Sequence, residues 1–134
     1  MFTLKRRINF YHCDPAGILF YARLFEICHS VYEEMISGFN LEENYWQNDD
    51  YVVPIVKCDA GFYKPVKPGE EVTVELVVTE LRETTFQLGY SIKNDKDVEV
   101  ASAKTVHVFV DKKKWKGKEI KDALRIGLSN HFKD

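Results

Sequence analysis

The sequence predicts an α+β domain in which one curled antiparallel sheet wraps a long central helix. Three observations carry this reading. From about Phe20 to Ser37 the apolar residues recur with helical period over roughly half the circumference, an arc too wide for a helix lying on a flat surface. Four segments of strand character follow, joined by short turns, and such strands pair antiparallel. A chain of 134 residues is the size of one domain, residues 1–134, so its own strands must cover the helix. A hydrophobic fraction of 45% with 13% aromatic residues excludes a disordered chain.

The first strand rests on Phe2, Leu4, Ile8 and Phe10 alternating with Thr3, Lys5, Arg7 and Asn9, with Arg6 interrupting the apolar set. His12-Cys13-Asp14-Pro15-Ala16-Gly17 ends it, because Pro and Gly in so short a span demand a tight loop. In the helix, Tyr21, Leu24, Phe25, Ile27, Cys28, Val31, Tyr32, Met35 and Ile36 form the apolar arc, and His29 falls at its border. Gly38 supplies the stop. Leu41–Gln47 reads as a short helical turn.

Val52–Tyr63 is the next strand, bent at Ala60-Gly61. Val72, Val74, Leu76 and Val78 then alternate with Thr73, Glu75, Val77 and Thr79. Phe86–Ile92 follows the turn Arg82-Glu83-Thr84, and Val98–Val110 follows the hairpin turn Asn94-Asp95-Lys96-Asp97. Lys112–Lys118 is a solvated charge run, Ile120–Leu128 a closing helix, and His131 part of a frayed tail. One face of the sheet is left over, so self-association is expected.

Composition narrows the function. Lys+Arg 19 against Asp+Glu 21 gives a net charge of −2, which argues against general nucleic-acid binding. No apolar run has the length of a membrane span, and no signal-peptide core follows Lys5, Arg6 and Arg7. Cys13, Cys28 and Cys58 are odd in number and lack a CxxC pair, so the expectation is a reducing cytoplasm, with neither a disulfide framework nor a zinc site.

The densest polar group is Tyr11-His12-Cys13-Asp14-Pro15-Ala16-Gly17, immediately before the helix. A helix start offers unpaired N–H groups and the positive end of the macrodipole, where negative charge developing on a substrate oxygen is stabilised. A carboxylate facing such donors is the arrangement that acyl transfer needs. Against this stands ordinary turn chemistry, since Asp-Pro and Ala-Gly also occur in plain loops. His12 and Cys13 make a poor dyad, because adjacent residues on extended chain point to opposite faces. Cys28, on the helix face, and Cys58, inside a strand, both read as small core residues. His107 faces away from Val106 and Val108, toward solvent, a ligand or a subunit contact. No glycine-rich phosphate loop or serine nucleophile elbow is present. Lys57, Lys64, Lys67, Arg82 and Lys104 are each able to meet a phosphate, and none is specific.

Asp14-Pro15-Ala16-Gly17-Ile18-Leu19-Phe20-Tyr21, after a short strand and before a long helix, closely resembles the signature of the hot-dog-fold acyl-CoA thioesterases, the 4-hydroxybenzoyl-CoA thioesterase family. Tyr63-Lys64-Pro65-Val66 with Gly69-Glu70, and Lys104 to Asp111, are similar in character. Ile27-Cys28-His29-Ser30-Val31-Tyr32-Glu33 resembles the helix of the 1,4-dihydroxy-2-naphthoyl-CoA thioesterases of the same group. The resemblance implies a hot-dog fold of five strands around one helix, in a homodimer or homotetramer with active sites at the subunit interface. It implies hydrolysis of an acyl-CoA, aromatic or short to medium in its acyl group, with no cofactor beyond the coenzyme A of the substrate. Asp14 would be nucleophile or general base, and the Tyr21 backbone N–H, with the Gly17 turn, would polarise the thioester carbonyl. His12, Phe25, His29, Tyr32 and Phe62 are the substrate-binding candidates, and Lys64, Arg82 and Lys104 the candidates for the coenzyme A phosphates. A hydroxyacyl-thioester dehydratase and a non-enzymatic acyl-CoA-binding module are the alternatives on the same fold.

Overall fold

The computed structural model describes residues 1–133. Its elements in order are β1 (Phe2–Arg7), a 3-10 turn (Phe10–His12), α1 (Tyr21–Ser37), β2 (Tyr51–Val52), β3 (Ile55–Phe62), β4 (Glu71–Leu81), β5 (Thr85–Lys93), β6 (Glu99–Val108), β7 (Val110–Asp111) and α2 (Asp122–Ser129). Five strands form one antiparallel sheet in the order β1-β4-β5-β6-β3, and β2 pairs with β7 beside it. The sheet curls around α1 as the helix's wide apolar arc requires.

The inward faces follow the period of two. Val72, Val74, Leu76 and Val78 of β4 are buried, as are Phe86, Leu88, Tyr90 and Ile92 of β5. They meet Leu24, Ile27, Cys28, Val31, Tyr32, Met35 and Ile36 of α1. Ala101 and Ala103 of β6 are buried as well. Burying a Leu, Val or Phe side chain of this kind stabilises the fold by roughly 1.5–3 kcal/mol. Arg6, which broke the apolar alternation of β1, is half-buried and donates from Nε to Ser30 Oγ on α1 at 3.1 Å.

Several expectations are corrected. The segment from Val52 to Tyr63 is two strands, because Pro54 lacks an N–H; its carbonyl accepts from Val108 instead. The irregularity in β3 falls between Ile55 and Lys57, not at Ala60-Gly61. Leu41–Gln47 holds no helix: a turn at Tyr45-Trp46 is fixed by Asn44 Oδ1, which accepts the Trp46 N–H. β1 stops at Arg7, and Phe10, read as the end of its apolar face, is 84% exposed because the chain turns at Asn9. His107 is fully buried, stacked on Phe86 at 4.6 Å and edge-on to Tyr32. The tail is not frayed at His131, whose carbonyl accepts the Val78 N–H and whose ring stacks on Phe39. Lys118, within the charge run, is tied to Asp50 at 2.5 Å.

Candidate active site

The Asp14 loop is built from its own turn residues. The Gly17 N–H donates to the Asp14 carbonyl at 2.9 Å, closing a turn with Asp first, Pro second and Gly fourth, each a favoured position. Gly17 has φ +79, a conformation that favours glycine. The Asp14 N–H donates to the Ile18 carbonyl at 2.9 Å, so that Cys13 and Leu19 lie opposite each other as an antiparallel bridge. Two further bonds hold the loop to the body, Leu19 N–H to the Val66 carbonyl at 2.7 Å and Phe20 N–H to the His12 carbonyl at 2.8 Å.

The Asp14 side chain is half-fixed. Its Oδ1 accepts the Ala16 N–H at 2.9 Å, while Oδ2 has no partner among the described residues. Opposite it, α1 begins without a side-chain cap at Phe20, and among the described residues the Tyr21 and Ala22 N–H groups have no acceptor. Asp14, Leu19 and Tyr21 line one wall of a cleft of about 510 Å³, and Phe62, Lys64 and Val66 line the other. A carboxylate oxygen and a helix start with open donors therefore share one recess, the geometry for attack on a polarised carbonyl.

A second, smaller cleft of about 100 Å³ lies further along α1, between Phe25 and His29 on the helix and Cys58, Tyr90 and Thr105 on the sheet. His29 Nδ1 lies 3.2 Å from Glu33 Oε2, and its ring is 5.6 Å from that of Trp46.

The other candidates are dispersed. His12 is buried in the turn, its Nδ1 accepting the Asn9 N–H at 2.9 Å, and burial lowers its pKa; it lines neither cleft. Burial, with Asp14 adjacent, raises the Cys13 thiol, so no thiolate–imidazole pair forms there. Gly17 shapes the turn and touches neither cleft. Tyr32 is 1% exposed and bonds Tyr45 through its hydroxyl at 2.5 Å, so it belongs to the core and not to a substrate wall. Arg82 pairs with Glu80 at 3.4 Å in the β4–β5 turn. The ladder places that turn near the His107 end of β6, whereas Phe62 of the cleft faces Ala101 at the other end. Lys104 is exposed on β6, opposite Asp59, outside both clefts. Only Lys64 of the three cation candidates lines the Asp14 cleft. Tyr90, Thr105 and Trp46 escaped the sequence reading, since a tyrosine or threonine in an alternating strand and a tryptophan in a polar loop carry no local mark of a site. Among the described residues no three His, Cys, Asp or Glu side chains converge as metal ligands, and no helix is long and apolar enough to cross a membrane.

The family profile of the thioesterase-like superfamily matches residues 8–128. A 1,4-dihydroxy-2-naphthoyl-CoA hydrolase from Crocosphaera subtropica is 33% identical over 115 residues, covering 83% of each chain. One of the same name from Nostoc punctiforme is 29% identical, over 99% of this chain and 90% of that one. Among solved structures, a 1,4-dihydroxy-2-naphthoyl-CoA thioesterase from Synechocystis superposes with a TM-score of 0.90 at 24% identity, covering 96% of both chains.

Proposed function

This chain belongs to the thioesterase-like superfamily, with its hot-dog fold, and is an acyl-CoA thioester hydrolase; from that premise we propose that Asp14 is the catalytic carboxylate and that the substrate is an aromatic acyl-CoA of the 1,4-dihydroxy-2-naphthoyl type. The observation that carries the mechanism is the single recess holding the unpartnered Asp14 Oδ2 and the open N–H groups at the start of α1. Asp14 attacks the thioester carbon or deprotonates the water that does, and the Tyr21 N–H receives the developing oxyanion. The Ala16 N–H holds the other carboxylate oxygen and so aims the reacting one. The leaving thiolate has a conjugate acid of pKa about 8.5, taking cysteine as its guide, and departs without a general acid. That is why one carboxylate and one set of backbone donors suffice, with no cofactor beyond the substrate's own coenzyme A. Lys64, at the rim, suits a phosphate of that group.

The substrate reading is supported by the names of the relatives and by the aromatic walls of the two clefts. We also propose a homo-oligomer. β3 is an edge strand of eight residues, exposed along nearly its whole length, with Ile55, Val56 and Phe62 open to solvent. Such an edge is normally covered or protected, and the Asp14 cleft lies against it, so a second copy would complete the site. Three free cysteines fit a reducing cytoplasm.

Thiol release from a panel of benzoyl-, 4-hydroxybenzoyl-, 1,4-dihydroxy-2-naphthoyl- and aliphatic CoA esters tests the reading. Asp14→Asn should lower kcat by about 10²–10⁴-fold, the span associated with a positioned base, with an unchanged fold by circular dichroism. Release undiminished in the variant would remove Asp14 from the mechanism. Acyl-CoA binding without release from any ester would make the chain a binding module.

A further inference from the structure

We infer that His12 is a positioning residue of the active site: its ring, by accepting the Asn9 N–H at Nδ1, fixes the peptide group that ties the Asp14 loop to the start of α1 and so sets the carboxylate against the oxyanion donors; this rests on the reading of Asp14 as the catalytic carboxylate.

The two halves of the site come from different pieces of chain, Asp14 from the loop and the Tyr21 N–H from the helix. Reacting groups must be held to within about 0.5 Å of their working geometry. Phe20, where α1 begins, has no side-chain cap to fix it. Its N–H donates instead to the His12 carbonyl at 2.8 Å, and its carbonyl accepts the Arg23 N–H at 2.9 Å. The Cys13–Leu19 bridge has one other bond, from the Asp14 N–H to the Ile18 carbonyl, and that one stays within the loop. The His12–Cys13 peptide is therefore the tie to the helix start. Its other end is held as well, the Cys13 N–H donating to the Phe10 carbonyl at 3.0 Å. Asp14 is the next residue along the chain, so one peptide group carries both halves of the site.

That peptide group is only as well placed as the 3-10 turn of Phe10–His12 that holds it. So short a turn has few bonds of its own. The His12 and Cys13 N–H groups close it onto the Asn9 and Phe10 carbonyls, each at 3.0 Å, and leave the Asn9 N–H over. The His12 ring takes up that donor at 2.9 Å, is 9% exposed, and lies 4.3 Å from the Tyr11 ring. Accepting at Nδ1 requires a bare lone pair there, so the ring is neutral with its proton on Nε2. A proton on Nδ1 would set two donors face to face, and the turn would open. The charged side chains that face the ring are Glu26 and Arg23 of α1, paired with each other at 2.6 Å. Burial lowers the ring's pKa, Glu26 opposes this and Arg23 adds to it. The neutral form therefore prevails at pH 7 and gives way only below the ordinary value of about 6.5.

The test is hydrolysis of the ester that the wild-type protein releases fastest, measured from about pH 5 to about pH 8 for wild type, His12→Ala and His12→Asn. Asparagine sets an amide oxygen near the place of Nδ1 and does not titrate. His12→Ala should lower kcat at pH 7 by about tenfold to 10²-fold, the scale of a misplacement of about 1 Å, with little change in KM. His12→Asn should recover most of that loss. As pH falls below about 6.5 the wild-type kcat should decline, while that of His12→Asn holds to lower pH. The two proteins share every other titrating group, so the difference belongs to the ring. Should the alanine variant misfold, the pH comparison of wild type with His12→Asn decides alone. Wild-type kcat in His12→Ala, a folded His12→Asn no better than alanine, or coincident pH profiles would overturn the role of His12. Undiminished release by Asp14→Asn would instead overturn the mechanism beneath it.

Discussion

Asp14 and His107 are both ionisable residues that the sequence brings to notice, and their surroundings give them opposite uses. Asp14 sits in a loop with one oxygen bonded to the Ala16 N–H and the other open, so that oxygen is available to a substrate. His107 is enclosed by Phe86, Tyr32 and Thr105, and burial, with His29 nearby, lowers its pKa to about 3. Its unfolded value is near 6.5, so the unfolded chain takes up the proton first. The stability that neutral His107 confers is full above pH about 6.5 and is lost as pH falls toward 3, at roughly 1.4 kcal/mol per unit. Urea unfolding at pH 7 and pH 4.5 should show the wild-type protein losing roughly 2.5 kcal/mol more than His107→Gln over that interval. Identical pH dependence in the two proteins would refute this account. The alternation around Val106 and Val108 did show which way His107 points. Whether a core, a ligand or a partner lay in that direction depended on α1, which no local pattern encodes.

At the level of elements, periodicity was a good guide where burial was one-sided. α1 covers the span its apolar arc predicted from Tyr21 onward, and β4 and β5 follow their alternation. It failed where side chains take over from the ladder, as at Pro54 and at the asparagine-held turn of residues 44–48. α2 was expected, but its role was not: it is buried through Leu124, Gly127 and Leu128, with Gly127 against Phe39 just beyond α1. A Cβ at Gly127 would lie 2.5 Å from the Phe39 ring. Gly127→Ala should therefore destabilise the fold by about 1–3 kcal/mol, as overpacking does, although alanine is the better helix former by about 1 kcal/mol. In a Phe39→Ala background the same change should be neutral or stabilising. A double-mutant cycle in urea measures this directly, and additive effects would show that the two residues are not in conflict.

For the molecule as a whole, the unresolved need is at β3. Among the described residues the strand is bonded on one side only, and it exposes Ile55 and Val56, at 40% and 59%, beside the candidate active site. If a second copy covers this edge, sedimentation should give a multiple of the 15.6 kDa chain mass. Val56→Lys, placing a charge on the edge, should then shift the population toward 15.6 kDa and lower thioester hydrolysis in parallel. A wild-type protein that is monomeric at micromolar concentration and fully active would exclude the interface.

The amino-acid sequence by itself determined the Asp14 turn, the helix that starts behind it and the strand faces. Each of these follows from interactions within a few residues: Pro and Gly backbone preferences, an Asx-type bond to Ala16, and periods of two and 3.6. Only the tertiary structure decided which residues share a recess with Asp14. Phe62 and Lys64 arrive there because β3 is the outermost strand beside β6. The same strand order carried Arg82 to the far end of the sheet and closed Tyr32 and His107 into the core. Strand order and register come from the burial of the whole apolar surface at once, so contacts between distant segments are settled only when the sheet closes around α1.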